Sequence, residues 1–214
     1  MKGKKWIWLV VVFVLCVAGV AAWQLIGNMA NQVEAGDAEE PVGEPVATAY
    51  VEISVAGYGT ITAELYGNVA PLTVENFLKL TDEGFYDGLT FHRIISGFMI
   101  QGGDPLGNGT GGSPEQIMCE FSANGVQNNI AHTRGVLSMA RATPFNSASS
   151  QFFIMHADAP HLNGQYAAFG RVISGIEVVD AICEATPVQD SNGTVAAANQ
   201  PVIEYVKRID QPAK

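Results

Sequence analysis

The segment that most limits what this chain can become runs Phe91-His92-Arg93-Ile94-Ile95-Ser96-Gly97-Phe98-Met99-Ile100-Gln101-Gly102-Gly103-Asp104-Pro105. Two short apolar runs, Phe91–Ile95 and Phe98–Gln101, flank Ser96-Gly97 and read as two strand segments joined at a turn. Arginine is an unusual choice inside such a run, because a guanidinium keeps its charge and needs hydrogen-bond acceptors. Gln101 offers an amide to hold Arg93, while Phe98 and Met99 can floor an apolar pocket. A fixed cation rising from an apolar patch suits a ligand whose polar group is embedded in hydrophobic surroundings.

The flanking sequence has a strand period. From Tyr50, Val51, Ile53 and Val55 alternate with Glu52 and Ser54, and after Gly57-Tyr58-Gly59 a second run alternates Ile61, Ala63 and Leu65 with Thr62 and Glu64. This predicts an opening β-hairpin. Pro71 suits a helix's first turn, Val74, Phe77 and Leu78 follow at helical spacing, and Gly84 stops the helix. The stretch 104–128 is Gly-rich and aperiodic, so it predicts a surface loop with one turn of structure at most. Three strand-like runs follow at Val136–Ala140, Gln151–Met155 and Ala167–Ile173. Ser174 reads as the N-cap of a short helix carrying Ile176, Val179 and Ile182. Residues 185–200 read as loop, and Val202–Ile209 as a last strand. Many short strands with two short helices give a mainly β fold, either a closed barrel or a sandwich.

The first 49 residues differ in kind. Lys2, Lys4 and Lys5 precede Trp6–Ile26, an almost wholly apolar run of 21 residues. As a helix it spans about 31 Å, close to the roughly 30 Å hydrocarbon core of a bilayer. The lysines orient such a span with the remainder outside, and Trp6 and Trp23 suit its two interfaces. A cleaved signal peptide ending near Val20-Ala21-Ala22 is a second reading; a third, lipid attachment at Cys16, is disfavoured by Leu15, where lipoprotein signals carry a small residue. All predict export, to the outer face of the cell membrane or beyond it. Residues 27–49 carry five acids and two prolines and read as a flexible acidic linker. The chain thus divides into an anchor or signal at 1–26, the linker at 27–49 and a folded domain at 50–214.

Charge and composition exclude several functions. The net charge is −10, of which −8 lies in residues 50–214. No basic stripe is available for phosphate, so nucleic acid is not a partner. Three cysteines make no disulfide framework, and Cys119 and Cys183 read as unpaired thiols. His156, Asp158 and His161 crowd a Pro-containing loop with no fourth ligand, so neither a metal nor another cofactor is expected. Asn108–Gly112 lacks the Gly-Lys-Ser/Thr ending of a phosphate loop and reads as a groove-edge turn. Ser147, Ser149 and Ser150 lack a nucleophile elbow.

The 91–105 run resembles the signature of the cyclophilin-type peptidyl-prolyl cis-trans isomerases. The likeness continues in Asn108-Gly109-Thr110-Gly111-Gly112, Gly135–Ala140, Ser150–Ile154, Leu162-Asn163-Gly164 and Phe169-Gly170, in the family's order and over roughly Tyr50 to the C-terminus. It implies a closed eight-stranded antiparallel β-barrel capped by two short α-helices, here preceded by an N-terminal apolar helix, and a monomer acting on proline-containing polypeptides. It also implies residue roles. Arg93 is the catalytic cation and Gln101 orients it. Phe98, Met99, Phe153 and Leu162 line a proline pocket, with His92, Ala140, Arg141 and Gln151 along the peptide groove. Tyr166 stands where the family often has His, and His161 where many eukaryotic members have Trp. That second departure bears on tight binding of the cyclic peptide cyclosporin more than on catalysis.

Overall fold

The computed structural model describes residues 43–213. The apolar segment 6–26 and the linker up to residue 42 lie outside the described residues. The remainder forms eight strands: β1 (Ala49–Val55), β2 (Gly59–Leu65), β3 (Phe91–Ile95), β4 (Met99–Gly102), β5 (Val136–Met139), β6 (Phe152–Met155), β7 (Ala168–Ser174) and β8 (Ile203–Ile209). Two helices accompany them, α1 (Pro71–Asp82) and α2 (Ile176–Ala185).

The opening hairpin forms in the register its alternation demands, with Ile53 opposite Ile61 and Val51 opposite Ala63. These inward residues are fully buried, each large one stabilising the fold by about 1.5–3 kcal/mol. Helix α1 adds Phe77 to the same core, with ring centroids 5.0 Å from Tyr86, 5.3 Å from Phe152 and 5.2 Å from Phe169. Its N-terminus has no local side-chain cap. Instead Glu120 accepts from the Leu72 and Thr73 amides at 3.0 and 2.8 Å and from the Thr73 hydroxyl at 2.7 Å. A carboxylate at a helix N-terminus satisfies orphan donors and opposes the helix dipole.

All pairings are antiparallel, in the order β3-β4-β6-β5-β7-β2-β1-β8. The sheet is curled, and its edge strands β3 and β8 meet through one isolated bridge between Thr90 and Val202. Beside it the Phe91 amide donates to the Pro201 carbonyl at 3.0 Å and the Ile203 amide to the Leu89 carbonyl at 2.8 Å. The closed barrel expected from the resemblance is therefore met by a curled sheet with bridged edges and no continuous ladder there; Pro201 has no N–H with which to extend one.

Two boundaries differ from the sequence reading. Ser174 does not cap α2; it is the last residue of β7, paired with Thr62. The cap position is Gly175, at φ 82°, where an added Cβ would sit 2.1 Å from the Thr60 carbonyl oxygen, so only glycine fits. The end of the compositional linker is also tied to the domain. The Thr48 amide donates to the Leu65 carbonyl at 2.8 Å, Asn68 holds the Val46 amide and the Glu44 carbonyl, and Ala49 already belongs to β1. Cys119 and Cys183 are free thiols.

Candidate active site

Strand β6, Phe-Phe-Ile-Met, is apolar at every position because it is covered on both faces. Phe152 and Ile154 enter the main core, whereas Phe153 and Met155 join a second apolar cluster with Met99, Val136 and Leu162. Register carries this division across the sheet: Gln101 pairs with Phe153, and Met99 with Met155. On the other side of β4, Arg93 lies opposite Gln101.

A bulge aims the arginine. Strict alternation would place Phe91, Arg93 and Ile95 on one face, but the register shifts between Phe91 and Arg93. Phe91 and Ile94 therefore both reach the main core, and Arg93 and Ile95 point the other way. The cost falls on His92. Expected along the peptide groove, it is instead 4% exposed and lines neither cavity of the groove. Its ring is turned beneath Gly109, and neither of its nitrogens has a hydrogen-bond partner. Burial pushes its pKa down, so the buried ring is neutral.

Arg93 is held from two sides. Its Nε donates to the Asn192 carbonyl at 2.8 Å and its Nη1 to Gln101 Oε1 at 3.2 Å. The Gln101 amide donates to Gln151 Oε1 at 2.8 Å, and Gln151 donates in turn to the Gly111 carbonyl at 2.7 Å. Burial draws the guanidinium pKa below its ordinary value, against the opposing pull of Tyr166 and Asp190. None of the ion pairs among the described residues includes Arg93.

The cation overlooks a cavity of about 210 Å³. Phe98, Met99, Phe153 and Leu162 give it apolar walls, and Gln101, Ala140, Arg141 and Tyr166 complete the lining. A second cavity of about 260 Å³ shares Gln101, Ala140 and Arg141. Its remaining walls are loop residues 109–112, Gln116, Ala142, Ser147, Ser149 and Gln151. Residues 109–112 of the Asn108–Gly112 turn thus wall the second cavity. Asp104, buried beneath the turn, accepts from the Leu106, Asn108 and Gly109 amides at 2.8, 3.1 and 2.6 Å. His161 lines neither cavity; it stacks on Phe98 with centroids 5.7 Å apart.

Three contributors were missed in the sequence. Asn192 acts through its carbonyl, which no side-chain pattern reveals. The signal was Asp190-Ser-Asn-Gly-Thr194, whose aspartate accepts the Asn192 and Thr194 amides and folds the turn. His132 lies almost parallel to Phe153, with ring centroids 6.1 Å apart, and is bonded to Asn163 and Ser138. Asn163 was visible only as part of a motif, yet its side chain also takes the His132 amide at 2.7 Å.

The family model described as cyclophilin type peptidyl-prolyl cis-trans isomerase/CLD matches residues 50–207. The chain belongs to that family. It is 54% identical over 117 residues to peptidyl-prolyl cis-trans isomerase B of Bacillus subtilis, covering 55% of this chain and 78% of that one. A Helicobacter pylori peptidyl-prolyl cis-trans isomerase is 45% identical over 137 residues, 63% of this chain and 81% of its own length. Among solved structures, a Cryptosporidium parvum cyclophilin-type isomerase determined in the presence of the dipeptide Ala-Pro superposes with a TM-score of 0.66 at 34% identity, over 76% of this chain and 99% of that one. The enzyme is thus a cyclophilin-type peptidyl-prolyl cis-trans isomerase.

Proposed function

We propose that this isomerase accelerates X-Pro rotation without covalent chemistry, by binding the twisted amide more tightly than either planar form. The planar bond resists rotation because C–N double-bond character sets a barrier of about 18–20 kcal/mol. Twisting returns the lone pair to the prolyl nitrogen and makes it a better acceptor. A cation directed at that nitrogen then favours the transition state over both ground states. Each 1.4 kcal/mol of that preference is worth about tenfold in rate.

The observation that carries this reading is Arg93: a guanidinium with no carboxylate partner among the described ion pairs, held by Asn192 and Gln101 at the edge of an apolar cavity. In this scheme Phe98, Met99, Phe153 and Leu162 grip the proline ring. Ala140, Arg141, Gln151 and Tyr166 border the peptide on either side, and no proton carrier is required. The Ala-Pro dipeptide present with the Cryptosporidium parvum relative supports proline-containing peptides as the ligand class.

The setting we propose is the outer face of a membrane, with Trp6–Ile26 as anchor and exported polypeptides as clients. The slow folding step relieved there would be proline isomerisation itself. Proteolysis of intact cells tests the setting: the domain should be digested from outside while remaining in the membrane fraction beforehand. Comparing Arg93→Ala with the parent in a proline-isomerisation assay tests the mechanism.

A further inference from the structure

Arg141 stands just past the end of β5, and it is bonded unlike the arginine at 93. Its guanidinium carbon lies 5.1 Å from the centroid of the Phe121 ring, 5.0 Å from Phe145 and 4.8 Å from Tyr166. Those three rings come from three different loop segments of the chain. In the plane of the group, Nε and Nη2 donate to the Gln165 carbonyl at 3.2 and 3.1 Å. Nη1 donates to the Ala142 and Thr143 carbonyls at 3.0 and 3.4 Å. Its donors are therefore turned towards main-chain oxygens of the protein, and the group lies over three aromatic rings. The side chain also lines both cavities of the groove.

Building on the isomerase reading above, we infer that Arg141 is a positioning residue that fixes the two halves of the groove relative to each other and so sets how tightly a proline peptide is gripped. One half is the Tyr166 rim of the apolar cavity, whose ring meets Phe153 edge-on with centroids 5.8 Å apart. The other is the loop that begins at Ala142 and walls the second cavity. Arg141 ties them by bonding Gln165 on one side and Ala142 and Thr143 on the other. Both tasks need a planar, forked cation. A lysine ammonium has the charge but neither the flat faces for stacking nor a fork that spans several fixed carbonyls. The reacting end does not depend on this clamp, because Arg93 and Gln101 are oriented by Asn192, by each other and by Gln151. Loss of Arg141 should consequently weaken substrate binding and spare the chemical step.

The test uses the full chain and its Arg141→Ala, Arg141→Lys and Phe145→Leu variants, with the tetrapeptide Ala-Ala-Pro-Phe as probe and kcat and KM determined separately. Folding is followed by circular dichroism, and Arg93→Ala serves as reference. Both Arg141 variants should raise KM by at least about fivefold while kcat stays within about twofold, as expected when only positioning is lost. Phe145→Leu, which removes one half-exposed ring, should raise KM by a smaller factor. Should Arg141→Ala fail to fold, the lysine and leucine variants decide the matter. A parental KM in Arg141→Lys overturns the inference, because charge alone would then suffice. A fall in kcat matching that of Arg93→Ala also overturns it, by placing Arg141 in the chemistry. An inactive parent, or an Arg93→Ala variant as active as the parent, would instead remove the isomerase mechanism on which the inference rests.

Discussion

The apolar cavity and its neighbour share Gln101, Ala140 and Arg141, yet they are built from different material. Around the first, Arg93, Met99, Gln101 and Phe153 stand on β3, β4 and β6, locked by ladder register and by apolar clusters on both faces of the sheet. The second is walled by the Gly-rich turn at 109–112 and by the loop leading into β6, held by a buried aspartate and single side-chain bonds. A transition state has to be met to within fractions of an ångström, and strands provide that precision. A wall that only accompanies the peptide can be made of loop. Under the proposed mechanism the contrast teaches that the residues nearest the turning bond, Arg93 and Gln101, stand on strands, while the wall along the rest of the peptide is loop.

The contrast can be broken most forcefully at Phe153, which is 5% exposed and joins the cavity to the second cluster. Phe153→Ala should cost about 3 kcal/mol of stability, read by denaturant unfolding, besides weakening proline-peptide binding by an order of magnitude. A variant that binds proline peptides like the parent would show that the strand-built wall is dispensable. Removing the amide behind the cation should do less. Gln101→Ala should lower kcat/KM by about fivefold with little change in stability, since Arg93 keeps its bond to the Asn192 carbonyl. On the loop side the expected effect is smallest: Ser149→Ala should leave kcat/KM for a minimal proline substrate within about twofold of the parent. If it costs as much as Gln101→Ala, the division between strand and loop is wrong.

A pH prediction sharpens the same comparison from the side of stability. His92 and His132 are both buried, and burial pushes both pKa values down. Above the ordinary histidine value of about 6.5, folded and unfolded chains carry neutral rings and their balance ignores pH. Below it the unfolded chain takes up protons that the folded one refuses, so stability falls as pH falls. Thermal unfolding between pH 7 and 5 should show that decline. His92→Leu should flatten it, and at pH 7 it should be neutral or stabilising, because the ring it removes has no hydrogen-bond partner. A steeper decline in the variant would contradict this account of His92.

The opening hairpin, the helix after Pro71 and the wall of the apolar cavity could all be read in the sequence, because each rests on local periodicity or on side chains within the family's motifs. His92 could not be read correctly. Its neighbours on either side suggest alternation, and only pairing with β4 shows that the strand bulges there. The cap of α1 was hidden for a related reason: Glu120 is 47 residues from Thr73 and resembles any loop acid. Asn192 contributes a main-chain oxygen, and the clamp at Arg141 is assembled from rings at 121, 145 and 166, none of which is its sequence neighbour. Arg141 lines both cavities, but its partners are a property of the folded chain alone. The expected closure of the sheet came from resemblance, and the bridged form found instead turns on the pairing of Thr90 with Val202, 112 positions apart, which no local pattern announces.

The most direct test of the central claim is the rate of X-Pro isomerisation by the full chain beside its Arg93→Ala variant, with both confirmed folded by circular dichroism. The account predicts clear acceleration by the parent and a loss of at least about tenfold in the variant, equivalent to about 1.4 kcal/mol of transition-state stabilisation. Equal rates from the two proteins would mean that the apolar cavity suffices by itself, and that the guanidinium held by Asn192 and Gln101 has no part in turning the bond.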